Sequence, residues 1–116
     1  MIELWLPYPP SANAMTTGAR NGRRRASDQY LRWQNDATAA AIQQGLHRLS
    51  MIRGAYKLTI DATRPDKRKR DIDNLIKPVS DQLQRFKLIE DDSDAQEVTA
   101  RWVKGEPGII LTLEAT

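Results

Sequence analysis

The residues with the clearest chemical potential lie in one stretch, residues 67–78, which reads KRKRDIDNLIKP. Its four consecutive cations end at Arg70 and are followed at once by Asp71 and Asp73, two carboxylates separated by one residue. In an extended segment, residues i and i+2 point to the same side, so both carboxylates can face one point. This arrangement favours chemistry on a polyanion, because the cations can hold the polymer while the carboxylates act on it.

A second acidic run, EDDSD at residues 90–94, follows the helix that is predicted after Asp73. If it joined the first pair, three carboxylates about 5 Å apart would repel by a few kcal/mol per pair and would need a cation among them. Oxygen ligands alone suit Mg²⁺ or Mn²⁺, which can activate a water against a phosphodiester. Lys77, one turn beyond Asp73, could steady a carboxylate or the transition state. Because the intervening helix is roughly 20 Å long, the chain must turn back for the two runs to meet, and the sequence does not decide whether it does.

The composition excludes several other kinds of site. Among its 116 residues the chain has no cysteine and one histidine, His47, which excludes disulfides, thiolate metal sites and zinc sites built from several imidazoles. Hydrophobic residues make up 40% and charged residues 28%, as in an ordinary globular protein, so we expect one domain over residues 1–116. No apolar run approaches the roughly 20 residues that span a bilayer, and we expect a cytoplasmic protein that does not enter membranes.

The charged residues are segregated along the chain, although the net charge is only +3. Residues 64–70 hold five bases and one acid, a second basic cluster begins at Arg20, and residues 90–94 hold four acids and no base. Such segregation indicates an anionic partner at the basic clusters, and a solvated surface pattern is the simpler alternative. The candidate nucleic-acid contacts are Arg23, Arg24, Arg25, Lys67, Arg68, Lys69 and Arg70.

Hydrophobic periodicity predicts an α/β fold in the order β-α-β-α-β-β. The predicted elements are strands over 2–6, from 56 to about 64, 97–103 and 109–113, helices over about 28–49 and 74–86, and a long loop over 11–26. Ser27 is the predicted cap of the first helix, and Asp73 or Asn74 is that of the second. The three tryptophans are predicted to lie in the core. Together these elements predict a single mixed sheet of about four strands with two main helices packed on one face.

Each part of the candidate site has a simpler interpretation. Asp73 can serve only as a helix cap, and the acids of residues 90–94 can form a solvated loop. A DNA-binding or regulatory module without catalytic activity would fit such a chain, and so would a nuclease that uses the same acids on flaps or RNA. The residues alone therefore indicate a nucleic-acid-binding protein with a candidate metal site.

Residues 64–96 resemble the RusA family of Holliday-junction resolvases, which are common in phages and prophages. The shared pattern is a basic run leading into Asp-x-Asp-Asn-Leu-x-Lys, then a helix with Asp-x-Leu, then a paired aspartate. In this chain the three parts lie at 70–77, 81–83 and 91–92. The N-terminal LPYPPSANAM is also similar to the family's first strand with its Pro-Pro-Ser and asparagine, which adds Asn13 to the candidate DNA contacts.

The resemblance implies a homodimeric endonuclease that depends on Mg²⁺, with Mn²⁺ as a substitute, and that nicks four-way DNA junctions symmetrically in recombination and repair. Carried over to this sequence, it makes Asp71 and Asp73 metal-binding catalytic carboxylates. Lys77 becomes a catalytic or phosphate-contacting lysine. A four-way junction has near-twofold symmetry, which a twofold-symmetric protein dimer would match.

The third carboxylate of the family pattern has two candidates in this chain. It falls on Asp92 if the helix aligns without a gap, and on Asp94 if the count runs back from Gln96. We favour Asp92, because helix spacing is harder to change than loop length. Asp91 is then a neighbouring candidate metal ligand.

Overall fold

The computed structural model describes residues 1–18 and 22–116, and this part of the chain forms six strands and two α-helices. In chain order they are β1 (Ile2–Leu6), β2 (Thr16–Gly18), β3 (Arg24–Ala26), α1 (Asp28–Gln43), β4 (Tyr56–Thr63), α2 (Ile76–Arg85), β5 (Ala95–Trp102) and β6 (Gly108–Ala115). Short 3-10 helices lie between them at Ala12–Ala14, Leu46–Arg48, Ile72–Leu75 and Asp92–Asp94. The main elements confirm the predicted order, and a small hairpin is added before α1.

Four of the strands form one mixed sheet in the order β1-β6-β4-β5. The β6 strand pairs antiparallel with both β1 and β4, whereas β4 and β5 run parallel and are connected through α2. A parallel pair requires a crossover of this kind, because a tight turn can join only antiparallel neighbours. The predicted sheet of about four mixed strands is confirmed.

One face of this sheet carries the hydrophobic core. Buried and more exposed residues alternate along β4 as expected for a strand with one covered face. Side chains of both helices join the same core, and Val79 and Leu83 of α2 are almost completely buried. Burying such a side chain contributes roughly 1.5–3 kcal/mol, so α2 is held firmly on the sheet. Within the described ranges, neither helix is long and apolar enough to cross a membrane.

The prediction of a long loop over residues 11–26 is wrong where the chain forms regular elements. After the 3-10 helix at Ala12–Ala14, β2 and β3 pair antiparallel as a two-stranded sheet. Ser27 fixes the base of this hairpin, because its backbone N–H donates to the Met15 carbonyl at 2.9 Å. Its strands have three residues each, too few to show a period of two in the sequence. Arg20 of the predicted basic cluster lies outside the described residues.

The first helix begins as predicted but ends earlier. The Ser27 hydroxyl accepts a hydrogen bond from the Tyr30 N–H at 3.0 Å, which confirms it as the N-cap. The helix ends at Gln43 rather than near 49, because Gly45 adopts a left-handed conformation with φ 90° and stops the regular hydrogen bonding. Apolar spacing continues through the 3-10 helix at Leu46–Arg48, and for that reason the sequence pattern overruns the helix end.

The second helix begins later than predicted, and neither Asp73 nor Asn74 caps it. Both residues lie within the 3-10 helix Ile72–Leu75, and α2 starts at Ile76 without a side-chain cap. Pro78 is the third residue of α2, where its missing N–H leaves no helical hydrogen bond unmade.

The tryptophans are not equally buried. Trp33 is buried as predicted, whereas Trp5 is 42% exposed on the open face of the sheet, which contradicts its predicted core position. Gln44 covers the outer edge of β1 at that point. Its side-chain amide accepts from the Trp5 N–H at 2.8 Å and donates to the Trp5 carbonyl at 2.7 Å. The amide thus takes the place of a neighbouring strand.

Candidate active site

The two acidic segments leave the sheet at opposite ends. The basic run follows the carboxyl end of β4, whereas residues 90–94 precede the amino end of its parallel neighbour β5. The 3-10 helix Ile72–Leu75 contacts β5, so the chain crosses back over that strand before α2 begins. The segment that bears Asp73 therefore packs against β5, the strand that the second acidic segment precedes.

Lys77 links α2 to the second acidic segment. Its ammonium nitrogen Nζ lies 3.0 Å from Asp81 Oδ1 and 3.8 Å from Asp92 Oδ2. The Asp92 N–H in turn donates to Gln84 Oε1 at 3.3 Å. Lys77, Asp81 and Gln84 follow helical spacing i, i+4 and i+7 and therefore share one face of α2. The chain does turn back after α2, and Asp92 is the acid that meets this face.

Residues 90–94 are held in place by their neighbours. Glu90 accepts from the Gly54 N–H at 2.9 Å, and the Tyr56 hydroxyl lies 3.5 Å from the Asp92 carbonyl. Asp91 caps the 3-10 helix Asp92–Asp94, because its Oδ1 accepts from the Ser93 N–H at 3.1 Å. That backbone hydrogen bond is the main reason why the pKa of Asp91 lies below its ordinary value. The acidic run is therefore an ordered turn, and one oxygen of Asp91 is already used by it.

Asp71 and Asp73 present carboxylates that are unpaired within the described part of the chain. Both are exposed, and neither side chain forms a hydrogen bond or ion pair with any residue in the described ranges. Asp71 stands at the N-cap position of the 3-10 helix Ile72–Leu75, yet its side chain does not cap it. The interpretation of Asp73 as only a helix cap is therefore wrong. Two unpaired carboxylates two residues apart are free to receive a ligand.

Within the described residues, no three side chains of the His, Cys, Asp and Glu types lie close enough together to hold a metal ion. The donors fit a hard cation in kind, since Asp71, Asp73 and Asp92 offer only carboxylate oxygens. Asp92 differs from Asp71 and Asp73 in that its carboxylate faces the ammonium of Lys77. The metal-ligand roles of these three residues and of Asp91 stay predictions.

The positive charge of Lys77 is well supported by its surroundings. The hydrogen bond to Asp81 is the main reason why the pKa of Lys77 lies above its ordinary value of 10.5, and Asp92 acts in the same direction. The side chain is therefore an ammonium at neutral pH, next to Asp92. Sequence reasoning did not assign a role to Asp81, although the i, i+4 spacing from Lys77 was a usable signal.

The basic run is ordered by its own aspartate. Asp66 accepts from the backbone and guanidinium of Arg68 and from the guanidinium of Arg70, with Oδ2 at 3.0 Å from Nη2 of each arginine. These hydrogen bonds hold the pKa of Asp66 well below its usual range, and the one from Arg70 has the largest effect. Lys67 and Lys69 are exposed and pair with no other residue in the described part of the chain.

Aromatic rings anchor the same run to the end of the sheet. The guanidinium carbon of Arg70 lies 5.5 Å from the ring centroid of Tyr8, and that of Arg64 lies 4.2 Å from the ring of Trp102. The two rings are themselves stacked, with centroids 6.5 Å apart. Cations over aromatic faces are attracted to them, so this stack fixes both ends of the loop.

The remaining candidate DNA contacts lie elsewhere on the surface. Arg23, Arg24 and Arg25 are exposed on and before β3, and the Arg24 guanidinium Nη2 donates to Thr16 Oγ1 at 2.8 Å across the hairpin. Asn13 is exposed in the 3-10 helix Ala12–Ala14, which contacts the segment that bears Asp73. Asn13 is therefore beside the candidate site, and the DNA-binding roles of all these residues stay predictions.

Comparison with known proteins identifies the family. Residues 7–114 match the family model described as "Endodeoxyribonuclease RusA". The chain belongs to the RusA family of endodeoxyribonucleases. It is also 32% identical over 114 residues to the "Crossover junction endodeoxyribonuclease rusA" of Enterobacteria phage HK97, a match that covers 92% of this chain and 90% of that protein. The RusA-family resemblance read from residues 64–96 is thus confirmed, and so is a nuclease rather than a binding module without activity.

Proposed function

We propose that this RusA-family chain resolves four-way DNA junctions by Mg²⁺-dependent hydrolysis, acting in the cytoplasm as a homodimer. The observation that carries the proposal is the position of Lys77, which follows Asp73 by four residues and lies 3.8 Å from Asp92. Support also comes from the phage HK97 relative, whose name describes a crossover junction endodeoxyribonuclease.

Asp71, Asp73 and Asp92 would hold the metal, whose bound form supplies an activated water and neutralises charge on the scissile phosphate. Lys77 acts on the same phosphate directly. Its ammonium can donate to a non-bridging oxygen as negative charge builds in the transition state. Asp81 keeps that ammonium turned towards Asp92, because the 3.0 Å hydrogen bond limits the rotamers that Lys77 can adopt.

The basic residues supply affinity for the DNA backbone. Lys67 and Lys69 point away from the protein and can each replace counterions at a phosphate, and the arginines of β3 extend the basic surface. About six phosphate contacts would give a log–log dependence of affinity on salt with a slope near −5. A twofold-symmetric dimer would place two such sites on opposing strands of the junction, as paired nicks require.

The test is cleavage of a labelled synthetic four-way junction with and without Mg²⁺, by the wild type and by Asp73→Asn. We expect paired symmetric nicks that need the metal and disappear in the variant, while binding in EDTA is retained. Glu114→Gln is the matched control, because Glu114 is an exposed acid on the face of β6 that points away from the core and from both helices.

Two outcomes would overturn parts of the proposal. Cleavage of flaps or RNA in preference to junctions would support the acidic site but contradict the proposed substrate. The sequence leaves this alternative open. Nicking that persists in Asp73→Asn would remove the candidate site itself. A complex with only one protein chain per junction, measured by analytical ultracentrifugation, would contradict the homodimer.

A further inference from the structure

A cleft of about 770 Å³ opens next to the candidate active site. Its walls are the turn Pro7–Ser11, one face of α1 and the basic run, and Asp71 lies in the last of these walls. The size is that of a pocket for a small organic group.

The α1 wall carries three polar side chains that have no partner among the described residues. Gln29, Arg32 and Asp36 line the cleft, and none of them forms a hydrogen bond or ion pair with another residue of the described ranges. Their positions i, i+3 and i+7 place them on one face of the helix. Asp66 on the opposite wall differs, since two arginines saturate it. The free hydrogen-bonding groups of the cleft thus include a carboxylate acceptor beside an arginine donor.

The walls are fixed before any ligand arrives. The indole Nε1 of Trp33 donates to the Pro7 carbonyl at 2.9 Å, which ties the proline turn to α1. The contact between Arg70 and Tyr8 ties the basic run to the same turn. Buried Trp33 and Leu75 supply apolar surface at the base of the cleft. A planar apolar group with polar edges would match this combination, and little reorganisation would be needed to admit it.

Resting on the proposed function, we propose that this cleft receives one unstacked base of the DNA beside the scissile phosphate, and that Asp36 selects bases with an exocyclic amino group. Phosphate is the wrong group for Asp36, because two anions repel. A carboxylate can only accept hydrogen bonds, and adenine, cytosine and guanine carry amino donors whereas thymine carries none. A base near a branch point is less costly to unstack than one inside a duplex.

The test begins by mapping the cut on one immobile junction and then placing each of the four bases in turn next to it. For the wild type, we expect single-turnover cleavage to be roughly tenfold slower with thymine than with an amino-bearing base. Asp36→Asn should remove most of that discrimination, and Arg32→Ala should weaken cleavage of all four junctions. Glu114→Gln and Arg48→Ala are the matched controls and should keep the wild-type order, since both residues are exposed and outside the cleft.

A second readout does not depend on cleavage. With 2-aminopurine at the same position, binding without Mg²⁺ should raise its fluorescence, because the base leaves the stack. Equal rates on all four junctions, discrimination that survives Asp36→Asn, or unchanged fluorescence on binding would each overturn the base pocket and leave junction resolution standing. A wild type that binds and cuts no junction would overturn the proposed function and the pocket with it.

Discussion

Asp66 and Asp73 lie on the same surface segment and have opposite surroundings. Asp66 is saturated by Arg68 and Arg70, so its charge orders the basic run. Asp73 is exposed and has no hydrogen-bonding or ionic partner among the described residues, although four cations precede it closely in the chain. The difference indicates that the basic run does not exist to neutralise the carboxylate pair. Its arginines are used internally, its lysines face outwards, and the pair is left available for a ligand.

The largest expected effect separates the two candidates for the third carboxylate. Asp92 faces Lys77, whereas the Asp94 side chain forms no hydrogen bond or ion pair with α2 among the described residues. We expect Asp92→Asn to lower single-turnover cleavage by at least roughly a hundredfold, because a metal ligand supports several kcal/mol of transition-state stabilisation. Asp94→Asn should stay within about threefold of the wild type.

Junction binding in EDTA provides the control for this pair. Neither substitution should weaken it, because removing a negative charge does not oppose DNA binding. The reverse order of cleavage rates would assign the third ligand to Asp94 and would favour the alignment that counts back from Gln96.

The same contrast shows how far the sequence can predict this molecule. The local sequence was sufficient to predict the Ser27 cap and the alternating burial along β4, since both depend on neighbouring residues in the chain. Sequence patterns missed β2 and β3, because these strands are too short to show a period. They also placed the end of α1 too late, because the apolar spacing continues past the break at Gly45. Two-residue spacing predicted that Asp71 and Asp73 belong together. The meeting of Lys77 with Asp92 depends on the path of the whole crossover, which no local pattern specifies.

Lys77 should have the next largest effect. We expect Lys77→Met to lower cleavage by roughly 10- to 100-fold with binding nearly unchanged, because the ammonium acts mainly on transition-state charge. Since the pKa of Lys77 is raised above 10.5, its charge and its stabilising contact with Asp81 are fully present below that pH. Both are lost only as the pH rises through the raised value. The wild-type pH–rate profile should therefore show no loss assignable to Lys77 up to about pH 10, and Lys77→Arg should restore part of the rate.

A smaller effect is expected from Asp81, which touches Lys77 and not the substrate. Asp81→Asn should lower kcat roughly fivefold and leave junction affinity unchanged, because one charged hydrogen bond that orients Lys77 is weakened. The pKa of Lys77 should fall towards its ordinary value, so any alkaline loss of activity should move to lower pH. Asp81→Glu should recover part of the rate. A variant that loses thermal stability without moving the pH profile would make Asp81 a structural residue only.

The smallest expected effect concerns the basic run itself. Lys69 is exposed and unpaired within the described residues, so Lys69→Ala should weaken junction binding a few-fold and reduce the steepness of its log–log salt dependence by about one. Its melting temperature should not change. Arg70→Ala also removes a cation, but it breaks the contacts with Asp66 and Tyr8 and should lower the melting temperature as well. Equal melting temperatures for the two variants would show that the ion pairs of Asp66 do not order the basic run. The difference in partners between Asp66 and Asp73 would then have no effect on stability.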